Sequence, residues 1–544
     1  MANLRRVDVV IVGAGMAGLY SAFLLRAKGL SVRVLEAGSG VGGTWFWNRY
    51  PGARCDIDSV DYSYSFSSEL ENEWDWKERY ASQPELEAYF NHVADRFELR
   101  ELIDFDTQVR SAVFDEAEHE WTVGTGDDTY RARFVVMATG PLSQPYRPDL
   151  PGLDDFVGRV LHSAQWPEEP VDFTGRRVGI IGTGSTGIQM IPLIARQAEH
   201  LHVFQRTPNY SVPARNCAMT SEQLAQVRAT YRERRRLARE SKAGFPPRTP
   251  EISARSALEV TEEQRREVYE LMWEQGGGLA FRAAFADLST SEDANETAAE
   301  FIRDKIRQTV TRPEVAELLV PHDHPYAAKR PPVDIEYYET FNRDDVSLID
   351  VRADPIEAIT ADGLRTRDRH FTFDDLVLAT GFDAVTGALS RIDIRGVRGE
   401  TLQDAWADGP RTLLGMATAG FPNLFLVNGP GSPAAFTNIA LHTEVNVEWL
   451  AGLIESATSA GSTWVEPRRE AVDGWAETVR EAADATLYPR AESWYLGANI
   501  PGKPRVFMFY VGGLDRFSAL LRQEAAGGYP QFALRGHDRQ EESA

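Results

Sequence analysis

Cysteine is almost absent. The 544 residues hold two, Cys55 and Cys217, with no Cys-x-x-Cys pair. That argues against a disulfide-stapled secreted fold and against dithiol redox chemistry. Positive charge is scarce too: 58 Lys and Arg face 81 Asp and Glu, a formal net charge of −23. A nucleic-acid binder needs a basic face, so no nucleic-acid partner is expected. No run of about 18 apolar residues occurs, so no membrane span is expected. The first apolar run, Val7 to Val12, leads straight into Gly13. It reads as a strand rather than a targeting segment, and the expected compartment is the cytoplasm. Coiled-coil heptads are missing, which leaves a monomer or weak oligomer. No metal site is expected.

What remains is an ordinary globular composition, 43% apolar and 26% charged, on a chain long enough for several domains. The stretch VDVVIVGAGMAGLYSAFLLRAKGLSVRVLEAG spells one β–α–β unit. The apolar run is a buried parallel strand. Gly13, Gly15 and Gly18 follow in G-x-G-x-x-G spacing: the first makes the tight turn, the second lets backbone approach a pyrophosphate, and the third packs helix on strand. A second strand then delivers Glu36, an acid placed to accept ribose hydroxyls and to repel a 2′-phosphate, as an FAD or NAD site requires.

The plan recurs in GRRVGIIGTGSTGIQMIPLIARQAEHLHVFQRTPN, with Gly182, Gly184, Ser185, Thr186 and Gly187 at the turn. Here the second strand ends on Arg206 and Thr207 instead of an acid. A guanidinium at that place pairs with a 2′-phosphate, which points to NADPH. Two dinucleotide units of opposite signature suggest flavin plus NADPH: hydride in, reduced-flavin chemistry out.

The fold class is therefore α/β, two dinucleotide-binding Rossmann-like domains with a helical insertion. Residues 1–143 read as the first part of the FAD domain. Residues 144–215 read as linker and first part of the NADPH domain, and 216–332 as a helical insertion with capping boxes at Thr220/Gln223 and Thr261/Gln264. Residues 333–381 complete the NADPH domain. Residues 382–544 complete the FAD domain, with a polar, disordered tail from about Arg535. The charge run RERRRLARE, residues 232–240, reads as a solvated helix face.

Between the two glycine units lies FVGRVLHSAQWP, residues 156–167. Its Phe156, Gly158, His162, Trp166 and Pro167 fit the pattern F-x-G-x-x-x-H-x-x-x-W-P. With GGTWFWNRYPGARCDIDS, AAKRPPVDIEYYETFNRDDV, NGPGSPAAFTN and WYLGANIPGK, it makes the chain resemble the flavin-dependent Baeyer–Villiger monooxygenases over nearly its whole length. The resemblance implies FAD and NADPH as cofactors and a small-molecule ketone and O2 as substrates. It implies that a C4a-peroxyflavin attacks the carbonyl and that the tetrahedral adduct rearranges to an ester or lactone. Arg330 matches the active-site arginine and Asp56 the acid that orients it. Gly43, Thr44 and Trp45 match a cofactor-contacting stretch, Lys329, Arg206 and Thr207 the 2′-phosphate contacts, and Trp494 a nicotinamide-cofactor contact. Ala434, Ala435 and Phe436 match a substrate-side loop of the length that goes with arylalkyl or bulky ketones. Pro141 departs from the glutamine that some relatives carry.

Without the resemblance, Lys329–Arg330 reads as a solvated basic pair and Asp56 as a turn residue. His162 reads as a general base or as a hydrogen-bonded hinge residue; the hinge is favoured because a fixed arginine already keeps the oxidant anionic. The alternative activity is oxidation of soft sulfur or nitrogen, against which stand the Trp166–Pro167 ending and Arg330. A non-catalytic flavin sensor is disfavoured by the intact second glycine unit.

Overall fold

The computed structural model describes residues 4–246 and 254–536. Two parallel sheets organise it. In the first, Leu424–Leu426, Thr129–Met137, Leu4–Val12, Val32–Leu35 and Ile103–Asp104 lie side by side and parallel. Val9, Val10 and Ile11 are fully buried, Val9 and Ile11 in one core cluster with Leu19, Ala22 and Leu25 of the following helix and Val10 in another with strand residues such as Phe114 and Trp121, so both faces are covered and the strand reads as a continuous apolar run. Ser111–Asp115 and Glu120–Gly124 extend this sheet antiparallel. The second sheet has the order Val346–Asp350, His200–Gln205, Arg177–Ile181, Asp375–Leu378, Arg159–His162, all parallel. The architecture is the α/β, doubly dinucleotide-binding class read from the sequence.

The helical segment leaves and re-enters through two short strands, Val212–Pro213 and Val333–Asp334, which pair with each other. Both capping boxes form, at Thr220/Gln223 and Thr261/Gln264. The charge run does not behave as a solvated face. Helical spacing turns Tyr231, Arg235 and Ala238 inward. Arg234 grips Asp61 and Arg235 pairs with Glu71 at 2.8 Å, while Arg239 reaches Glu444 and Glu448 at 3.2 Å each. Arg232, Glu233, Arg236 and Glu240 face water, while Arg234, Arg235 and Arg239 strap helix Ser221–Arg239 to the first unit. The chain end differs as well. Arg535 closes strand Phe532–Arg535, paired antiparallel with Trp464–Pro467; residues 537–544, the rest of the expected tail, lie outside the described residues.

The two connections between the sheets run side by side. Tyr146 N–H donates to Gly381 O (2.9 Å), Asp383 N–H to Gln144 O (2.9 Å) and Val385 N–H to Pro141 O (2.7 Å).

Candidate active site

The first glycine turn opens an elongated cleft of about 1440 Å3 including its mouth, lined among others by Gly13, Gly15, Glu36, Gly43, Thr44 and Trp45. Its glycines are sterically required. Gly13 has φ +104°, and a Cβ there would lie 2.6 Å from Ala138 O; one on Gly18 would lie 1.8 Å from Gly13 O. Gly43 (φ +55°) would push a Cβ to 2.9 Å from Gly15 Cα, so the two loops meet backbone to backbone. Glu36 is buried; it accepts Ala14 N–H at 2.6 Å and Gly38 N–H at 2.8 Å. Burial raises its pKa, and those amide bonds pull the other way. The acid thus fixes the turn and keeps spare lone pairs for hydroxyl donors. A bare-backbone cradle ending on an acid fits an adenosine diphosphate moiety such as that of FAD.

At the second turn Gly182 has φ +112°, and Cβ atoms on Gly182 and Gly187 would lie 2.4 Å from Ala379 O and 2.2 Å from Gly182 O. Ser185 and Thr186 open the helix Ser185–Ala195 behind it. Thr183 Oγ1 donates to Thr207 O at 3.2 Å, tying the end of the second strand to the turn. Arg206 is exposed. Burial, aided by the Arg352 and Arg206 charges, lowers the Lys329 pKa, with Asp323 opposing. The sequence reading missed Arg352. Its guanidinium donates to Thr207 Oγ1 at 2.8 Å and to Asp323, and Asp323 also contacts His324 Nδ1 at 2.6 Å. Arg352 on the Thr207 hydroxyl, with Lys329 and the exposed Arg206 close enough to feel each other's charge and Asp323 as a nearby acid, fits a phosphate of charge about −2. No local signal marked Arg352: it arrives because Asp350 pairs with Gln205 across adjacent strands, so both strand ends deliver an arginine to one edge.

Arg330 and Asp56, 274 positions apart, form a two-pronged ion pair: Nε to Oδ2 at 2.6 Å and Nη2 to Oδ1 at 2.8 Å. Nη1 donates to Ala435 O at 3.1 Å. Asp56 follows the turn at Gly52 (φ +84°), where a Cβ would lie 2.5 Å from Gln189 O, so its loop is pressed onto the helix of the second glycine unit. Tyr50 hydroxyl and Arg54 carbonyl add bonds to Gln189. Arg330 sits at the root of the helical segment, just before Val333–Asp334. Burial by itself would raise the Asp56 pKa and lower that of Arg330. The pairing outweighs it in both, holding Asp56 below the usual carboxylate value and Arg330 above the usual arginine value. The pair is a permanent charge couple.

Ala434, Ala435 and Phe436 are buried beside it. The Phe436 ring packs on Tyr488 (4.6 Å) and Tyr495 (4.8 Å), and Trp494 packs on Tyr495 (4.6 Å) and Phe509 (5.4 Å). Arg282, also missed in the sequence, donates to Phe436 O at 3.3 Å. The fingerprint segment lies at the edge of the second sheet. Phe156 packs on Phe373 (5.6 Å), and a Cβ on Gly158 would lie 2.2 Å from Asp374 O and 2.6 Å from the Phe156 ring. Trp166 stacks near Phe173 (6.3 Å), and Pro167 is exposed. His162 Nδ1 accepts Ala164 N–H at 3.1 Å, so Nε2 carries the proton and donates to Tyr146 O at 3.1 Å; Thr380 Oγ1 stands 3.4 Å away. Tyr146 and Thr380 belong to the two inter-sheet connections. Burial lowers the His162 pKa, with the Tyr146 bond opposing and Arg147 assisting.

Two dinucleotide cradles with a fixed arginine–aspartate pair between them define a two-cofactor oxidoreductase. Residues 10–268 match the family model described as pyridine nucleotide-disulphide oxidoreductase; the two cysteines, one buried and one exposed, are unpaired. A Baeyer–Villiger monooxygenase from Pseudooceanicola batsensis is 44% identical over 96% of this chain and 95% of its own. A phenazine N-monooxygenase from Lysobacter antibioticus is 43% identical over 97% of each chain. A solved structure, an oxidised steroid monooxygenase bound to NADP, superposes with a TM-score of 0.92 at 52% identity, covering 97% of this chain and 99% of that one. The chain belongs to the Baeyer–Villiger family of flavin-dependent monooxygenases. Among the described residues, no helix is long and apolar enough to cross a membrane.

Proposed function

We propose that the chain inserts one oxygen atom of O2 next to a ketone carbonyl, giving an ester or lactone, with FAD in the first cleft and NADPH at the second glycine turn. Residues 1–143 and 382–544 would hold FAD, and residues 144–215 and 333–381 NADPH. Bound FAD, reduced by NADPH, supplies the oxygen-activating chemistry. The chain's own residues do the rest. Gly13, Gly15, Gly18, Glu36, Gly43, Thr44 and Trp45 form the flavin cradle. Gly182, Gly184, Ser185, Thr186 and Gly187 receive the NADPH diphosphate, while Arg206, Thr207, Lys329 and Arg352 receive its 2′-phosphate. Trp494 stands at the nicotinamide end.

The observation that carries the reading is the Arg330–Asp56 pair. Three of the five N–H bonds of the guanidinium are committed, to Asp56 twice and to Ala435 O. The other two have no hydrogen-bond partner among the described residues and can serve oxygen atoms that gain negative charge during insertion. Arginine suits this because it cannot lose its proton to the oxidant at working pH. Asp56 aims the fork and, as a partner, makes burying it tolerable. Ala434, Ala435 and Phe436 form the substrate wall, and the aromatic cluster behind Phe436 supports arylalkyl or bulky ketones. His162 pins the two connections together as a hinge residue and takes no proton from substrate. Oxidation of a soft nitrogen is the second reading, favoured by the phenazine N-monooxygenase relative. The FAD-loaded protein, given NADPH and a panel of arylalkyl and cyclic ketones, a sulfide and a tertiary amine, should form esters or lactones fastest. N-oxide formation with no ester from any ketone would replace the first reading by the second.

A further inference from the structure

Beside the part of the cleft lined by Asn428 and Thr443 runs a buried polar chain that none of the roles above uses. Helix Ile439–Ser459 starts directly after the Ala434–Phe436 loop. His442, Thr443 and Asn446 on it are fully buried, and Asn428 nearly so. Asn446 Nδ2 donates to His442 Nε2 (3.1 Å) and to Asn428 Oδ1 (3.4 Å), and Asn428 Nδ2 donates to Thr443 Oγ1 (2.8 Å). From Asn446 through Asn428 the donors point toward Thr443, while the second Asn446 N–H donates back to His442. A helical threonine commonly returns its own proton to the carbonyl one turn back. Thr443 does not: its hydroxyl only accepts, and its proton has no acceptor among the described residues. Thr443 and Asn428 both line the cleft. At the other end, His442 Nδ1 and Asn446 Oδ1 have no partner among the described residues. Since Asn446 feeds Nε2, Nδ1 is the protonated nitrogen.

We infer that Asn446, held by His442, and Asn428 form a positioning relay that presents the Thr443 hydroxyl as a hydrogen-bond donor to the flavin. The inference rests on the first cleft holding FAD. Reduction places more negative charge on the flavin ring, so a fixed donor binds the reduced form more tightly than the oxidised one. Relays polarised in one direction strengthen their terminal bond.

The test is the FAD midpoint potential of the holoenzyme. Thr443→Val, nearly isosteric, should weaken the preference for reduced over oxidised flavin about tenfold, a two-electron midpoint about 30 mV lower. Thr443→Ser should restore the wild-type value. Asn446→Leu, which leaves the hydroxyl in place but removes its polarisation, should move the midpoint in the same direction by less, and it decides the matter if Thr443→Val proves unable to retain FAD. An unchanged midpoint in Thr443→Val, or in Asn446→Leu if Thr443→Val does not retain FAD, overturns the relay. Wild-type protein that takes up no FAD at all overturns the reading of the cleft instead.

Discussion

Arg352 offers the sharpest quantitative expectation, because the structure alone brought it to the second site. Arg352→Ala removes the cation that contacts the Thr207 hydroxyl and leaves the sheet untouched. A charge-assisted hydrogen bond contributes about 1.5–3 kcal/mol. The Arg352 side chain is 51% exposed and shares its charge with Asp323, so solvent screening puts the loss at the lower end. About 1.4 kcal/mol is tenfold in binding. The variant should therefore show roughly tenfold weaker NADPH binding, read as the concentration dependence of anaerobic flavin reduction, with NADH handling unchanged. An equal loss for NADPH and NADH would place Arg352 away from the 2′-phosphate. No loss for either would show that Asp323 already neutralises it.

Gly158→Ala must displace the Asp374 carbonyl or the Phe156 ring. Overpacking of this kind costs about 1–3 kcal/mol, so the melting temperature of this 544-residue chain should fall by about 1–3 °C; an unchanged melt would mean that the sheet edge is loosely held. Burial lowers the His442 pKa from 6.5 to about 3. Its folded value lies below its unfolded one, so its contribution to stability is complete above about pH 6.5 and is lost as pH falls toward 3, by about 1.4 kcal/mol per unit. Between pH 6.5 and 5, His442→Gln should be less acid-sensitive than wild type by about 2 kcal/mol, and identical acid profiles in chemical denaturation would refute that. His162 is held neutral at and above pH 7 by the same sign of shift. His162→Ala should lower stability by about 1–2 kcal/mol for two lost bonds while the pH profile of oxygenation between 7 and 9 keeps its shape. A lost limb in that profile would make His162 a base.

Much of the fold was legible because glycine spacing, buried strands and strand-end residues are local. Each glycine unit states its own turn, and Glu36 and Arg206 are the strand-end residues from which the cofactor preferences are proposed. The capping boxes were legible for the same reason. The charge run misled because composition carries no direction: only packing against Asp61 and Glu71 decides that Arg234 and Arg235 face inward. Arg352 stayed hidden because it needs the pairing of two strands about 150 residues apart. The Arg330–Asp56 contact depends on a glycine turn pressing one unit onto the helix of the other, and only resemblance, not spacing, pointed to it beforehand. The Thr443 relay is spread over two segments and carries no motif at all.

The central claim is that Arg330 serves oxygen insertion and not hydride transfer. The direct measurement is a pair of assays on FAD-loaded Arg330→Met: anaerobic flavin reduction by NADPH, and incorporation of 18O2 into ester from an arylalkyl ketone. Flavin reduction near the wild-type rate with no labelled ester, and partial recovery of ester in Arg330→Lys, is the expected result. Labelled ester formed by Arg330→Met at the wild-type rate would contradict the account.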